Sequence, residues 1–487
     1  MVWAGILTLS LLSVLATAHL LADVGAVLGV RGGWSAVAGR LAPVMVLSAG
    51  AALLAIVVTW LAGAGRRREL VAIGVGLVVL VGVRVFLSSQ LDSGREGEPG
   101  VYLSMAESFL ALDWDFNGRP MAYSAALAGA FAVVGDRQLG IEAVNLLLAL
   151  LAGGAVLGLA RGLYGPRAGA LALLGYAIWP AAALMTVVSI PQIAFDLAVV
   201  VAAWAAVALP AGGRGDASSG ALLALSQYLR PTAPIMLPAW IVARMWHGGG
   251  ATAMLRTAIV TVAAFLLVLA PVMLYNFART GSPSISTSDY GGHVLFIGTY
   301  EPSGGQFSEE ANEALIELAG PDLLARSAMG TEIALQRIKD DPGGMAALAV
   351  RKQDTLWGTE HYGVQYGIRQ SLKDRPEHPD ATTPMLLSQG FYVLVLVAAT
   401  LGLCLRRREP DALAPLVITL IWTVSAMHGL LEVRDRHHAY VIPLLLPLAA
   451  LAVATLAGWL ERRLADSAGP GRQPAVQDTS PGSDAIH

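Results

Sequence analysis

The chain has 487 residues, 55% of them hydrophobic and only 14% charged, and a mean hydropathy of +0.61. That excludes an ordinary soluble globule and points to an all-α polytopic membrane protein. A formal net charge of -3, with no basic run interleaved with aromatics, argues against a nucleic-acid partner, and the single cysteine, Cys404, excludes an internal disulfide or a thiolate-rich metal site.

Apolar runs of roughly 17 to 25 residues, long enough to cross the hydrocarbon as helices, recur near 2–21, 41–63, 70–89, 139–160, 168–187, 191–209, 219–246, 253–277, 386–404, 412–430 and 439–459. The first lacks a basic leader and a small-residue cleavage site, so it reads as a retained anchor. The run at 219–246 is interrupted by "YLRPTAP". Proline removes a backbone donor and clashes with the preceding turn, so two short helices are expected, forming a broken hairpin that returns to the side it entered from. Alternating the spans then gathers Arg66 to Arg68, Arg161, Arg167, Arg214, Arg244, Arg406 to Arg408, Arg462 and Arg463 on one side, the cytoplasm by the positive-inside rule. The expected organisation is N-terminal transmembrane helices (1–89), a first extracytoplasmic loop with interfacial helices (90–138) and a transmembrane core (139–277). A large extracytoplasmic loop (278–385), C-terminal transmembrane helices (386–460) and a disordered tail (461–487) follow, with both termini cytoplasmic in a plasma membrane.

The first loop carries "LDSGREGEPGVYLSMAESFLALDWDF", with six carboxylates and one arginine. Acids and a proline lead into "VYLSMAESFLAL", the pattern of a helix start, and Tyr102, Met105, Ala106, Phe109 and Leu110 fall on one face. That predicts a short amphipathic helix lying in the membrane interface. A second is expected over 121–134. His19 and Asp23, one turn apart, are placed to pair, and Gly154, Gly158 and Gly162 at four-residue spacing read as a helix-packing face.

Several segments in order resemble the GT-C glycosyltransferases, in particular the bacterial family 39 branch related to protein O-mannosyltransferases and lipid A aminoarabinose transferases. They are the acidic residue and "Y-x-x-x-A" helix after the third span, "IEAVNLLLALLAGGAVLGLARGLYGPRAGALALLGYAIWP", "LSQYLRPTAPIMLPAWIVA", "LAPVMLYNFARTGSPSISTSDYGGHVLFIGTY", "IKDDPGGMAALAVRKQDTLWG" and "RDRHHAYVIPLLLPLAA". The resemblance implies a GT-C helical bundle with interfacial helices and a mostly helical external loop region. It also implies a reaction: transfer of a sugar from a polyprenyl-phosphate carrier in the membrane to a lipid, glycan or protein acceptor, at an extracytoplasmic active site and without an obligatory cofactor. A divalent metal on the loop carboxylates stays open, since hard oxygen ligands suit Mg²⁺ or Ca²⁺.

Such a transfer needs a base for the acceptor hydroxyl and cations for the departing phosphate. Asp92 matches the family's first-loop aspartate and is the first candidate for the base; the other reading is a solvated loop acid. Glu98 is the second, against a role as complement to the helix dipole, while Glu96, Glu107, Asp113 and Asp115 read as solvated. Arg230 interrupts an apolar hairpin, and a charge at that depth implies a partner or a water-filled cavity. Arg434 and Arg436, planar guanidinium groups suited to phosphate, lead into the last span with His437 and His438; interfacial snorkelling is the alternative. Lys352 is a further candidate phosphate contact, or a plain surface residue. Tyr102 lies on the interfacial helix among the candidate substrate contacts. Gln192 stands where the family commonly has an acid; it can hydrogen-bond a sugar hydroxyl but cannot ionise, and Asp196 one turn later is a possible substitute. A transporter or flippase for lipid-linked sugars is the main competing class, and a non-catalytic envelope-assembly protein a third.

Overall fold

The computed structural model describes residues 1–29, 33–63, 65–94, 97–113, 118–246, 248–370, 381–409 and 411–467. Among them all regular structure is helical. In chain order the helices are α1 (Val2–Leu28), α2 (Gly33–Ala62), α3 (Arg66–Gln90), α4 (Gly97–Leu110), α5 (Ala122–Val134), α6 (Arg137–Tyr164), α7 (Pro166–Ile178), α8 (Pro180–Leu184), α9 (Gln192–Ala208), α10 (Gly213–Ser226), α11 (Ala233–Met245) and α12 (Ala251–Thr280). There follow α13 (Gly291–Gly298), α14 (Glu309–Ala319), α15 (Leu323–Asp340), α16 (Pro342–Gly358), α17 (Tyr362–Val364), α18 (Thr382–Leu405), α19 (Leu413–Leu430) and α20 (Ile442–Ser467). Eight of the described helices are long and apolar enough to cross a membrane: α1, α2, α3, α6, α12, α18, α19 and α20 with its lead-in.

The run at 168–187 makes a ninth crossing only as a bent one, because Pro166–Ile178 and Pro180–Val187 meet at 55°. Pro180 has no N–H to continue the ladder, and Trp179 is extended. The carbonyls this frees are met from α3, where Arg84, fully buried, donates to Ala177 O at 3.2 Å with its guanidinium 5.5 Å from the Tyr176 ring centroid. A cation at a helix C-terminus satisfies both the carbonyls and the dipole. The run at 191–209 is the 17-residue α9, whose C-terminal carbonyls are capped by Arg244: Leu209 O and Pro210 O both accept at 2.8 Å. Arg244 also pairs with buried Asp216 at 2.8 Å, so it is fixed inside the packed bundle. The "YLRPTAP" segment separates α10 from α11.

α7, α9 and the first half of α20 are buried on almost every side, and they are rich in Ala and Gly, which lets backbones approach closely. A Cβ on Gly402 would stand 2.2 Å from Leu448 O, so α18 and α20 can touch only with glycine there. α2 and α12 lie outermost with most of their apolar surface uncovered, the face a bilayer would cover. The predicted glycine row does not pack as a unit: Gly158 abuts Trp204, but Gly154 and Gly162 face open space, and Gly153 makes the close contact with Leu80 and Leu173. Nor do His19 and Asp23 pair. His19 Nε2 meets Asp354 at 2.9 Å and Asp23 meets His361 at 3.2 Å, so each ties α1 to the stretch between α15 and α18. Glu96, Asp115 and positions 468–487 of the expected disordered tail lie outside the described residues.

Candidate active site

Three arginines and one carboxylate converge at one end of the bundle, each placed by a break in helix. Arg230 stands between α10 and α11, where Gln227 Oε1 accepts from Ala233 N at 3.0 Å. Thr287 Oγ1 donates to Gln227 O at 2.7 Å, fastening this turn to the stretch after α12. The guanidinium is 5.8 Å from the Phe195 centroid and the residue is 9% exposed. Among the described residues its side chain has no hydrogen bond or ion pair, so its donors are available.

Arg119 follows Gly118, whose φ of +63° is a left-handed conformation that glycine adopts without strain. Asp289 N donates to Gly118 O at 2.9 Å, and Asp289 is held by Arg279, Nη1 to Oδ2 at 3.0 Å. The Arg119 guanidinium lies 4.8 Å from the Tyr290 centroid and 5.9 Å from that of Tyr102. Arg436 sits in the 3-10 turn Asp435–His437 before α20. Its backbone N–H donates to Asp435 Oδ1 at 2.9 Å, and Asp435 Oδ2 accepts from His361 N at 2.9 Å.

Glu98 joins them. It lies in the first turn of α4, where Ser189 Oγ donates to Pro99 O at 2.9 Å. Arg436 Nη1 donates to Glu98 Oε2 and to Tyr366 Oη at 2.7 Å. The tyrosine hydroxyl in turn donates to Glu98 Oε2 at 3.2 Å, and Arg119 Nη1 is 3.7 Å from Glu98 Oε1. Burial by itself would raise the Glu98 carboxyl, but the charges of Arg436, Arg119 and Arg230 outweigh it and hold it down at about 2. Three guanidinium groups thus face the one carboxylate of Glu98 in a partly buried place, with Glu432 and Asp435 beside Arg436. Arg119 Nε and Arg436 Nε are sealed from solvent without an acceptor. Buried donors normally find partners and guanidinium forks match phosphate oxygens, so the chemistry of the cluster suits an anion.

The remaining predicted residues divide. Tyr102 is buried beneath Arg119, edge-on to Tyr123 with centroids 6.0 Å apart. Gln192 is buried and donates to Asp196 Oδ1 at 2.7 Å; Gln192 Oε1 and Asp196 Oδ2 are sealed without partners. The pair lies within reach of the charge of Arg230. Arg434 is at the rim, paired with Glu432 at 2.9 Å and 5.3 Å from the Phe307 centroid. Lys352 is no surface residue. Its Nζ donates to Gly298 O (2.9 Å), Gly429 O (3.0 Å) and Leu431 O (2.6 Å), which uses all three N–H bonds and leaves none for a phosphate. Burial pushes its amine down to about 8. Asp92 is exposed just beyond α3; its charge bears on Glu142 and is not among those acting on Glu98. Glu107 is exposed and pairs with Arg137 at 3.4 Å.

Arg119 and Tyr366 were not anticipated. A signal existed for the first: Arg119-Pro120 repeats the Arg-Pro of Arg230-Pro231, and the residue before proline is driven out of helix, so both arginines had to sit at helix breaks. A second buried cluster is built around His438, two residues along the chain from Arg436. His438 Nε2 lies 2.7 Å from Glu360 Oε2 with both side chains fully buried; Trp179 Nε1 donates to Glu360 Oε1 at 3.0 Å, and the imidazole stacks on Tyr392 with centroids 4.8 Å apart. Among the described residues no group of three or more His, Cys, Asp or Glu side chains converges as a metal site.

No protein-family model matches the chain, and no curated protein matches it. Among solved structures it is similar to the oligosaccharyltransferase of Archaeoglobus fulgidus tethered with an acceptor peptide, at 14% identity and a TM-score of 0.49 over 83% of this chain and 52% of that one. The same enzyme, AglB, in complex with an inhibitory peptide and a dolichol-phosphate gives 13% identity and a TM-score of 0.47 over the same shares. The chain thus spans about half the length of these enzymes. ArnT from Cupriavidus metallidurans bound to undecaprenyl phosphate is similar at 13% identity and a TM-score of 0.33, over 82% of this chain and 81% of that one.

Proposed function

We propose that the protein is a membrane glycosyltransferase that moves a sugar from a polyprenyl-phosphate carrier to an acceptor on the extracytoplasmic side. The observation that carries this reading is the partly buried cluster of Arg119, Arg230 and Arg436 around the single carboxylate of Glu98 at one end of an apolar helical bundle. A lipid-linked leaving group stays in the membrane, so the cations that receive it belong at the lipid boundary. In the reaction the acceptor O–H bond breaks as the oxygen bonds to the sugar anomeric carbon. The bond from that carbon to the phosphate oxygen breaks, its electron pair staying on the phosphate, through an oxocarbenium-like state. Arg230 and Arg436, with Arg119, stabilise the charge that develops on the phosphate.

The proton needs an acceptor. Chain position favours Asp92, but Glu98 is the carboxylate that touches the arginines, so it takes the role here and Asp92 remains a loop acid. Gln192 and Asp196, near Arg230 with one unpartnered oxygen each, are the groups we assign to the sugar hydroxyls. The positive-inside arrangement supports an outward-facing site.

The test is reconstitution of the purified protein in vesicles containing a polyprenyl-phosphate sugar labelled in the sugar. Release of free polyprenyl phosphate that falls at least about a hundredfold in R230Q and in R436Q, the size of loss seen when a transition-state donor is removed, supports the reading. Passage of label across the bilayer with the sugar-phosphate bond intact refutes it in favour of a transporter.

A further inference from the structure

A carboxylate held as Glu98 is held makes a poor base. Both its oxygens face guanidinium groups, Oε2 at Arg436 and Oε1 at Arg119, and Tyr366 Oη donates to Oε2 as well. The two guanidinium groups are the donors a phosphate would require. Arg230, by contrast, acts on Glu98 only through its charge, and its own donors carry no hydrogen bond among the described residues. An arriving phosphate therefore meets one uncommitted guanidinium first and two that a carboxylate already occupies.

We infer that Glu98 is a built-in counter-anion that the donor phosphate displaces from Arg436 and Arg119, and that only the displaced carboxylate can take the acceptor proton. The inference rests on the glycosyltransferase reading of the cluster. Exchange of carboxylate for phosphate replaces the hydrogen bond of Arg436 and the ion pair of Arg119 and adds the donors of Arg230. Once its arginines are neutralised by phosphate, Glu98 loses the attraction that holds its carboxyl near 2 and becomes basic enough to act. The proton leaves the acceptor oxygen for a Glu98 oxygen while the bond from the anomeric carbon to the phosphate oxygen opens and the phosphate keeps the electron pair. The device ties activation of the base to the presence of the donor, and so keeps a naked base from existing beside water.

The two roles of Glu98, competitor and mere organiser of the arginines, differ in sign. Farnesyl phosphate, a short polyprenyl phosphate, would be titrated into the full-length protein in detergent and its heat of binding measured. Competition makes E98Q bind about tenfold tighter than the parent, the affinity equivalent of one charge-assisted contact no longer displaced, and makes Y366F bind tighter by a smaller factor; E98Q nevertheless fails to transfer sugar. Binding by E98Q that is equal to or weaker than the parent, while R230Q is weakened, overturns the displacement and leaves the phosphate site standing. Binding by the parent that R230Q does not weaken, or no binding at all, overturns the site itself. Should E98Q fail to fold, Y366F decides: it removes one donor to Glu98 without touching the charges, and unchanged or weaker binding sinks the inference.

Discussion

Lys352→Met separates the two roles a buried lysine at this end of the bundle could have. In the structure the ammonium clamps the carbonyls of Gly298, Gly429 and Leu431, tying the end of α13 to the end of α19, just before the segment that carries Arg434 and Arg436. Methionine matches the stem but leaves three carbonyls without their donor. Each costs roughly 1–3 kcal/mol if nothing replaces it, and release of a desolvated charge offsets part of that, so a net loss of about 2–4 kcal/mol is expected. The pH dependence carries a sign. The folded amine is lowered to about 8, whereas an unfolded lysine titrates near ~10.4; between those values the unfolded chain binds more protons, and stability rises with pH. The lysine's cost is greatest below pH ~8 and is relieved as pH approaches ~10.4. Unfolding in detergent, followed by tryptophan fluorescence, should therefore show K352M melting several degrees lower at neutral pH, with the gap to the parent widening as pH rises through that window. If K352M keeps its melting temperature and loses farnesyl phosphate affinity as R230Q does, the lysine reaches the phosphate directly and the clamp is wrong.

Asp92→Asn should retain at least about a tenth of the transfer rate, whereas a general base contributes a factor of about a hundred or more; a hundredfold loss in D92N with parental activity in E98Q would reverse the assignment. Glu360→Ala leaves His438 Nε2 and Trp179 Nε1 buried without their partner, and the stability loss in thermal melts should be about 1–3 kcal/mol for each group left unsatisfied. Gly118→Ala forces a side chain into a left-handed conformation, with a Cβ 2.9 Å from Leu323 Cδ1 and 3.1 Å from Asp289 Cβ. We expect about 1 kcal/mol or more of destabilisation and severalfold weaker farnesyl phosphate binding, through displacement of Arg119; unchanged binding would remove Arg119 from the site.

Much of the architecture was legible because the bilayer demands long apolar helices, and composition displays them directly. The bend at Trp179 was not foreseen, although "WP" marks it, because hydropathy averages across a proline. Glu98 is more instructive. Glu98, Tyr102 and Met105 are spaced by four and three residues, and Tyr102, Met105 and Ala106 are the buried stripe of α4. Helical geometry thus put Glu98 on the inward face, a signal outweighed in the sequence by the chain position that made Asp92 the first candidate. The outcome for Lys352 could not be read from sequence at all, since its carbonyl partners come from positions 298, 429 and 431, and only the completed fold brings those helix ends to one point.

The three arginines share a local cause as well as a location. Arg119 and Arg230 each precede a proline, and Arg436 stands in a 3-10 turn ahead of α20. On a continuous helix an arginine projects sideways, toward lipid or a neighbouring helix, where its charge is costly. At a break it can point along the bundle axis into a space walled by protein, and irregular backbone at such depth is tolerated only where protein or a polar cavity covers it. The breaks are therefore what make a concentrated positive site possible in this chain. Their prolines should matter to function more than to folding: Pro231→Ala, which lets α10 run on, should weaken farnesyl phosphate binding by about tenfold, one charged contact, while the protein remains folded in detergent. Retention of full affinity in P231A would mean that Arg230 is held by its packing against Phe195 and not by the break.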